Sequence, residues 1–150
     1  MANADSSDSC VRVLVGDDYE PWRYQVRSIL ASRPELQIVG EVSDGLHAVK
    51  KARDLNPDLM LLDVGLPKMN GVEVAKVTRQ LVPCTRIILM TQNTDKFPIR
   101  AALSSGAHGY ILKGDAGSEL LPAIKATLRG EKFVSSGILD DCEVAGTRTQ

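Results

Sequence analysis

Apolar residues fall along this chain in two alternating modes. Short runs rich in Val, Ile and Leu stand at 11–15, 38–42, 59–62, 87–90 and 110–112, without strict in-and-out alternation. Such runs are expected of strands covered on both faces, as in a parallel sheet. Helical spacing fills the gaps. Pro21 suits a first helical position, and Trp22, Val26, Ile29 and Leu30 recur on one face until Arg33-Pro34. Asp44 is a candidate N-cap for a helix presenting Leu46, Val49, Ala52 and Leu55, stopped by Asn56-Pro57. Val72, Ala75, Val77 and Leu81 make a third amphipathic stretch, closed near Pro83. Ile99, Ala102 and Leu103 mark a fourth, stopped by Gly106, and Leu120, Leu121, Ile124, Ala126 and Leu128 a fifth, ending at Gly130.

Strand and helix thus alternate about five times with short connections. Right-handed crossovers then predict an α/β fold: one doubly wound, open parallel sheet of (βα)5 type with helices on both faces. Residues 1–10 read as a disordered leader, 11–135 as one domain, and 136–150 as a polar tail or the start of a linker.

Composition narrows the function classes. The 150 residues are 43% hydrophobic and 25% charged, as in an ordinary globular domain. Lys+Arg 18 against Asp+Glu 19 leaves a formal net charge of -1, with no basic footprint for nucleic acid, so direct nucleic-acid binding by this chain is not expected. Cys10, Cys84 and Cys142 form no CxxC pair, which speaks for reduced thiols in a cytoplasmic protein. No apolar run approaches the roughly 18 residues of a membrane span, and no secretory signal opens the chain.

In an open parallel sheet, ligands bind beyond the carboxyl ends of the strands. Here those ends carry Asp17 and Asp18 after the first strand, Asp63 after the third, Thr91 after the fourth and Lys113 after the fifth. Each residue has a bland reading: a helix cap, a turn starter, a solvated lysine. Their joint placement does not, because crowded carboxylates repel unless a cation joins them. Mg2+ takes oxygen ligands and keeps several waters, so two or three carboxylates suffice.

These residues carry a resemblance. The acidic pair Asp17-Asp18, Asp63-Val64-Gly65-Leu66-Pro67 with Asn70-Gly71, Thr91, and Gly109-Tyr110-Ile111-Leu112-Lys113 resemble the receiver domain of two-component response regulators. Ala107-His108-Gly109 and Gly130-Glu131-Lys132-Phe133 resemble its NarL/LuxR-type subfamily. The resemblance covers about residues 11–135 and implies a flavodoxin-like receiver fold. It implies that Asp63 accepts a phosphoryl group from a sensor histidine kinase. Asp17, Asp18, Asp63 and the Gly65 carbonyl would hold Mg2+, while Lys113 and Thr91 would meet the phosphoryl oxygens. Tyr110 would be the aromatic switch that turns inward when Thr91 moves, carrying the change to an α4-β5-α5 surface where a dimer or an output partner binds. Such a domain is a signalling module, not an enzyme beyond self-phosphorylation from small donors and autodephosphorylation. Gly65 stands where receivers often carry a side chain that tunes dephosphorylation, and Gly114 where many have proline or an acidic residue. The alternatives weighed are a Mg-dependent aspartyl-phosphate phosphatase, which wants DxD at the first strand, and a pseudo-receiver acting by protein contact.

Overall fold

The computed structural model describes residues 10–92 and 99–135. The strands are β1 (Val11–Gly16), β2 (Leu36–Val42), β3 (Leu59–Asp63), β4 (Arg86–Thr91), β5 (Gly109–Leu112) and β6 (Phe133–Val134). The helices are α1 (Glu20–Leu30), α2 (Gly45–Leu55), α3 (Gly71–Leu81), α4 (Ile99–Ser104) and α5 (Ala116–Leu128). All strand pairs are parallel, in the order β2-β1-β3-β4-β5-β6. The chain reverses direction across the sheet between β1 and β3, so a crevice opens at their carboxyl ends.

The five expected strands and five helices are present, and the sheet gains a sixth strand that the apolar pattern did not suggest. Phe133 pairs with Gly109 and Val134 with Tyr110, which covers the free edge of β5. Two residues are too few to show a period. Helix α1 begins at Glu20, one residue before the expected start, and neither Asp17 nor Asp18 caps it: Tyr19 is the N-cap, without a side-chain bond. Asp44 does cap α2, accepting from the His47 N–H at 2.8 Å. Residues 1–9 of the leader and the tail lie outside the described residues.

Alternation along β3 shows why its run looked continuous. Leu59 and Leu61 join Val13, Val15, Ile88, Met90 and Ile111 beneath α1 and α5. Met60 and Leu62 join Leu14, Ile87, Leu89 and Tyr110 beneath α2, α3 and α4. Both faces are buried, so both parities are apolar.

One glycine fixes the geometry at the end of β3. A Cβ on Gly71 would lie 2.5 Å from the Asp63 carbonyl oxygen, too close for any side chain. The start of α3 therefore seats directly against the backbone of Asp63. Asn70 and Glu73 close a reciprocal capping box there, with bonds of 2.9 and 3.0 Å.

Candidate functional site

At the crevice, Asp17, Asp18 and Asp63 each offer a carboxylate oxygen, and these lie within 4.8 Å of one another. Asp17 is buried, Asp63 partly buried and Asp18 exposed. Strand β1 supplies the pair and its neighbour β3 supplies Asp63, so adjacency in the sheet brings together residues far apart in the chain. Lys113 arrives from the end of β5. Its Nζ donates to Asp17 Oδ2 at 2.5 Å and lies 3.1 Å from Asp63 Oδ1.

Asp17 does two jobs. Its Oδ1 accepts the Tyr19 N–H at 2.8 Å, which shapes the turn from β1 into α1, while Oδ2 takes the lysine. Arg23 donates to the Asp17 carbonyl and to Glu41 Oε1, tying α1 to β2 behind the pocket. Burial pushes the Asp63 carboxyl above its ordinary range; Lys113 opposes that rise, and the Asp17 and Asp18 carboxylates add to it. One ammonium among three carboxylates leaves the cluster short of positive charge. Three oxygen donors this close match the hard-cation preference for carboxylates, so the residues fit a site for Mg2+.

The carboxylates border an open cavity of about 470 Å³. Trp22, from the first turn of α1, is on its wall. Tyr19, Gln25 and Gln92 also line it and were not singled out from the sequence. A usable signal existed for Gln25, which lies one helical turn beyond Trp22, and for Gln92, which follows Thr91.

Thr91 and Tyr110 occupy a different layer. Neither lines the cavity. Thr91 is buried at the end of β4, and Tyr110 is 0% exposed on β5. The Thr91 hydroxyl lies close enough to influence the Tyr110 phenol. Burial raises the Tyr110 phenol above its ordinary range, the Thr91 hydroxyl opposes this, and the nearby Asp63 charge adds to it. The Tyr110 ring is packed inside the layer beneath α2, α3 and α4. Gly65 lies in the exposed turn two residues after Asp63. Gly114 follows Lys113 in a single 3-10 turn, Lys113–Asp115, that leads into α5.

Comparison with known proteins agrees with this arrangement. The family model described as response regulator receiver domain matches residues 13–125. The response regulator GacA of Pseudomonas viridiflava is 36% identical over 129 residues, 85% of this chain and 60% of that protein. The transcriptional regulatory protein DegU of Brevibacillus brevis is 30% identical over 132 residues, 88% of this chain and 56% of that one. This chain therefore spans less than two thirds of either relative. A LuxR-family two-component response regulator from Aurantimonas sp. SI85-9A1 superposes with a TM-score of 0.85 at 30% identity, covering 94% of this chain and 99% of that one. No described helix is long and apolar enough to cross a membrane. An acidic cluster at the β1–β3 crevice, a lysine reaching it from β5 and a family match over most of the sheet agree: the chain belongs to the response regulator receiver domain family.

Proposed function

We propose that Asp63 is the phospho-acceptor, taking a phosphoryl group from a phosphohistidine on a sensor histidine kinase in the cytoplasm. The observation that carries this is the convergence of Lys113 and the Asp17-Asp18 pair on Asp63 at the mouth of an open cavity. Phosphoryl transfer asks the protein mainly for positioning and for positive charge against the equatorial oxygens. Asp63 supplies the attacking carboxylate oxygen. Its backbone is held by the close approach of Gly71, so the oxygen has a set place. Lys113 supplies one positive charge beside it. Asp17, Asp18, Asp63 and the Gly65 carbonyl would hold Mg2+, which neutralises phosphoryl charge when bound.

The output step engages Thr91 and Tyr110. A phosphoryl group adds roughly -1.5 to -2 charge and three acceptor oxygens. We read the switch as an exchange: the Thr91 hydroxyl leaves Tyr110 for a phosphoryl oxygen, and the rearrangement passes along β5 to the surface of α4, β5 and α5. That surface would serve a second copy or an output partner. A net charge of -1 on this segment is no ground for excluding nucleic acid for a longer protein that contains it, because the curated relatives extend well beyond the matched region.

The test is incubation with acetyl phosphate, with and without Mg2+, followed by intact-mass measurement. A phosphoryl adduct that needs the metal and is absent from Asp63→Asn supports the reading. An equal adduct on Asp63→Asn sinks it. For the switch, Thr91→Ala should bind beryllofluoride yet show weaker hydrogen-exchange changes around Tyr110. A response equal to wild type would refute the exchange while sparing the phospho-acceptor.

A further inference from the structure

The ammonium at the centre of the site has a neighbour that carries no charge. Trp22 stands on α1 against the cavity, and Lys113 Nζ lies 5.1 Å from the centroid of its ring. A cation within about 6 Å of an indole face is attracted by the ring quadrupole, and Trp is the strongest such partner. The contact is sheltered, since the Lys113 side chain is 11% exposed.

A lysine head is a point charge on a flexible stem, so it goes where its partners draw it. Two of those partners, Asp17 and Asp63, also belong to the acidic cluster. A lysine tied to them alone would follow every change in their charge and surroundings. The ring face is a partner whose attraction does not depend on protonation. Gly114, which follows the lysine, lines the same cavity and has no side chain with which to hold it. Nor is the indole placed for its own N–H: Nε1 is buried without a hydrogen-bond partner, which is a cost. Packing against the apolar layer beneath α1 and α5 fixes the ring, and its face is then turned to use by the cation.

We propose that Trp22 is a positioning residue for Lys113: its indole face holds the ammonium between Asp17 and Asp63, in place for the charge that arrives with a phosphoryl group. The inference rests on the phospho-acceptor reading of Asp63 and adds to it a residue outside the acidic set.

The experiment uses the whole chain as wild type, Trp22→Phe and Trp22→Leu. One measurement is the rate of adduct formation on Asp63 from acetyl phosphate at saturating Mg2+. The other, without metal or donor, is the proton shift of the Lys113 side-chain methylene next to Nζ. Removing the ring face should slow the adduct about tenfold in Trp22→Leu, and Trp22→Phe should lose only about twofold to threefold. The methylene resonance, moved upfield by the ring in wild type, should return toward the free-lysine value in Trp22→Leu and move less in Trp22→Phe. In a Lys113→Met background, Trp22→Leu should bring no further slowing. Trp22→Met replaces Trp22→Leu if the latter fails to give a folded amide spectrum.

A folded Trp22→Leu protein that reacts at the wild-type rate overturns the proposal. So does equal slowing by Phe and Leu, which would make ring size the cause, or an unmoved methylene shift. A wild type that takes no phosphoryl group defeats the Asp63 reading instead, and the methylene shift then still decides the contact with Trp22.

Discussion

The two ends of the sheet treat polar groups in opposite ways. At the amino ends of the strands, side chains bond to backbone. Arg12 Nη1 donates to the Leu55 and Asn56 carbonyls at 2.6 and 3.2 Å, where α2 ends and its last carbonyls lack helical partners. Asp58 accepts the Arg12 N–H at 2.8 Å, and the Thr85 hydroxyl donates to the Pro57 carbonyl at 2.7 Å. His108 Nδ1 accepts the Ile87 N–H at 3.1 Å. At the carboxyl ends, ionised side chains face one another. Three carboxylates crowd together with one ammonium, which pairs with two of them, burial raises the Asp63 carboxyl, and an indole N–H is buried without a partner. One end spends its polar groups on closing the fold. The other holds an arrangement of like charges that is uncomfortable until something positive joins it.

That contrast can be broken most decisively at Asp63. Asp63→Asn is expected to lose the entire phosphoryl adduct while keeping the fold, read by intact mass and circular dichroism. A folded variant that still takes the adduct would place the chemistry elsewhere.

The opposite end should behave inversely. Arg12→Ala removes charge-assisted bonds to carbonyls at the end of α2, and about 1.5–3 kcal/mol of stability should go with them. Urea unfolding measures the loss, and the rate of adduct formation should stay near wild type. A slower reaction with unchanged stability would erase the distinction between the two ends.

A third prediction turns on sign. Burial raises the Asp63 carboxyl, so the folded chain binds its proton more readily than the unfolded chain does. That contribution is present below the unfolded carboxylate range and is lost as pH rises through the folded value. At neutral pH without metal, the native state therefore carries the cost of the charged form. Asp63→Asn should melt higher than wild type in the presence of a chelator, with the gap narrowing as pH falls through the carboxylate range. Equal melting at pH 7 would show that Lys113 cancels the burial cost.

The smallest effect belongs to His108. Burial, then the charges of Arg79, Arg86 and Lys132, hold its ring below the ordinary imidazole range. A histidine depressed in the fold gives stability above the unfolded value, lost as pH falls below about 6.5. Protonation would also take the lone pair that receives the Ile87 N–H. Unfolding midpoints should fall modestly from pH 7.5 to 5.5 in wild type. In His108→Gln that slope should be shallower, and an identical slope would assign it to other groups.

Much of this molecule is readable along the chain because its cause is local. The five apolar runs became strands, with both parities buried along β1, β3, β4 and β5, and Asp44, Asn56 and Gly106 mark helix ends as their residue types dictate. Alternation of strand and helix then forces parallel pairing, and that alone sends Asp17, Asp18, Asp63 and Lys113 to one edge. The residues that could chemically serve the site were therefore visible before any fold.

What needed the tertiary structure is how those residues meet. Lys113 chooses Asp17 at 2.5 Å over Asp63 at 3.1 Å, a preference set by side-chain reach between β1 and β5 across two intervening strands. Tyr110 lies inward against Thr91 because the pocket beneath α2, α3 and α4 can take a ring, and no pattern along β5 states the volume of that pocket. Strand β6 exists because β5 left an open edge beside it, not because two residues prefer to be extended. Trp22 reaches Lys113 only through the packing of α1 on the sheet, 91 positions away in the chain. Periodicity encodes which face a residue takes, since burial of apolar surface is a property of each segment. Contacts between side chains of different segments depend on the angles and spacings at which those segments pack, and these exist only once the whole core has closed.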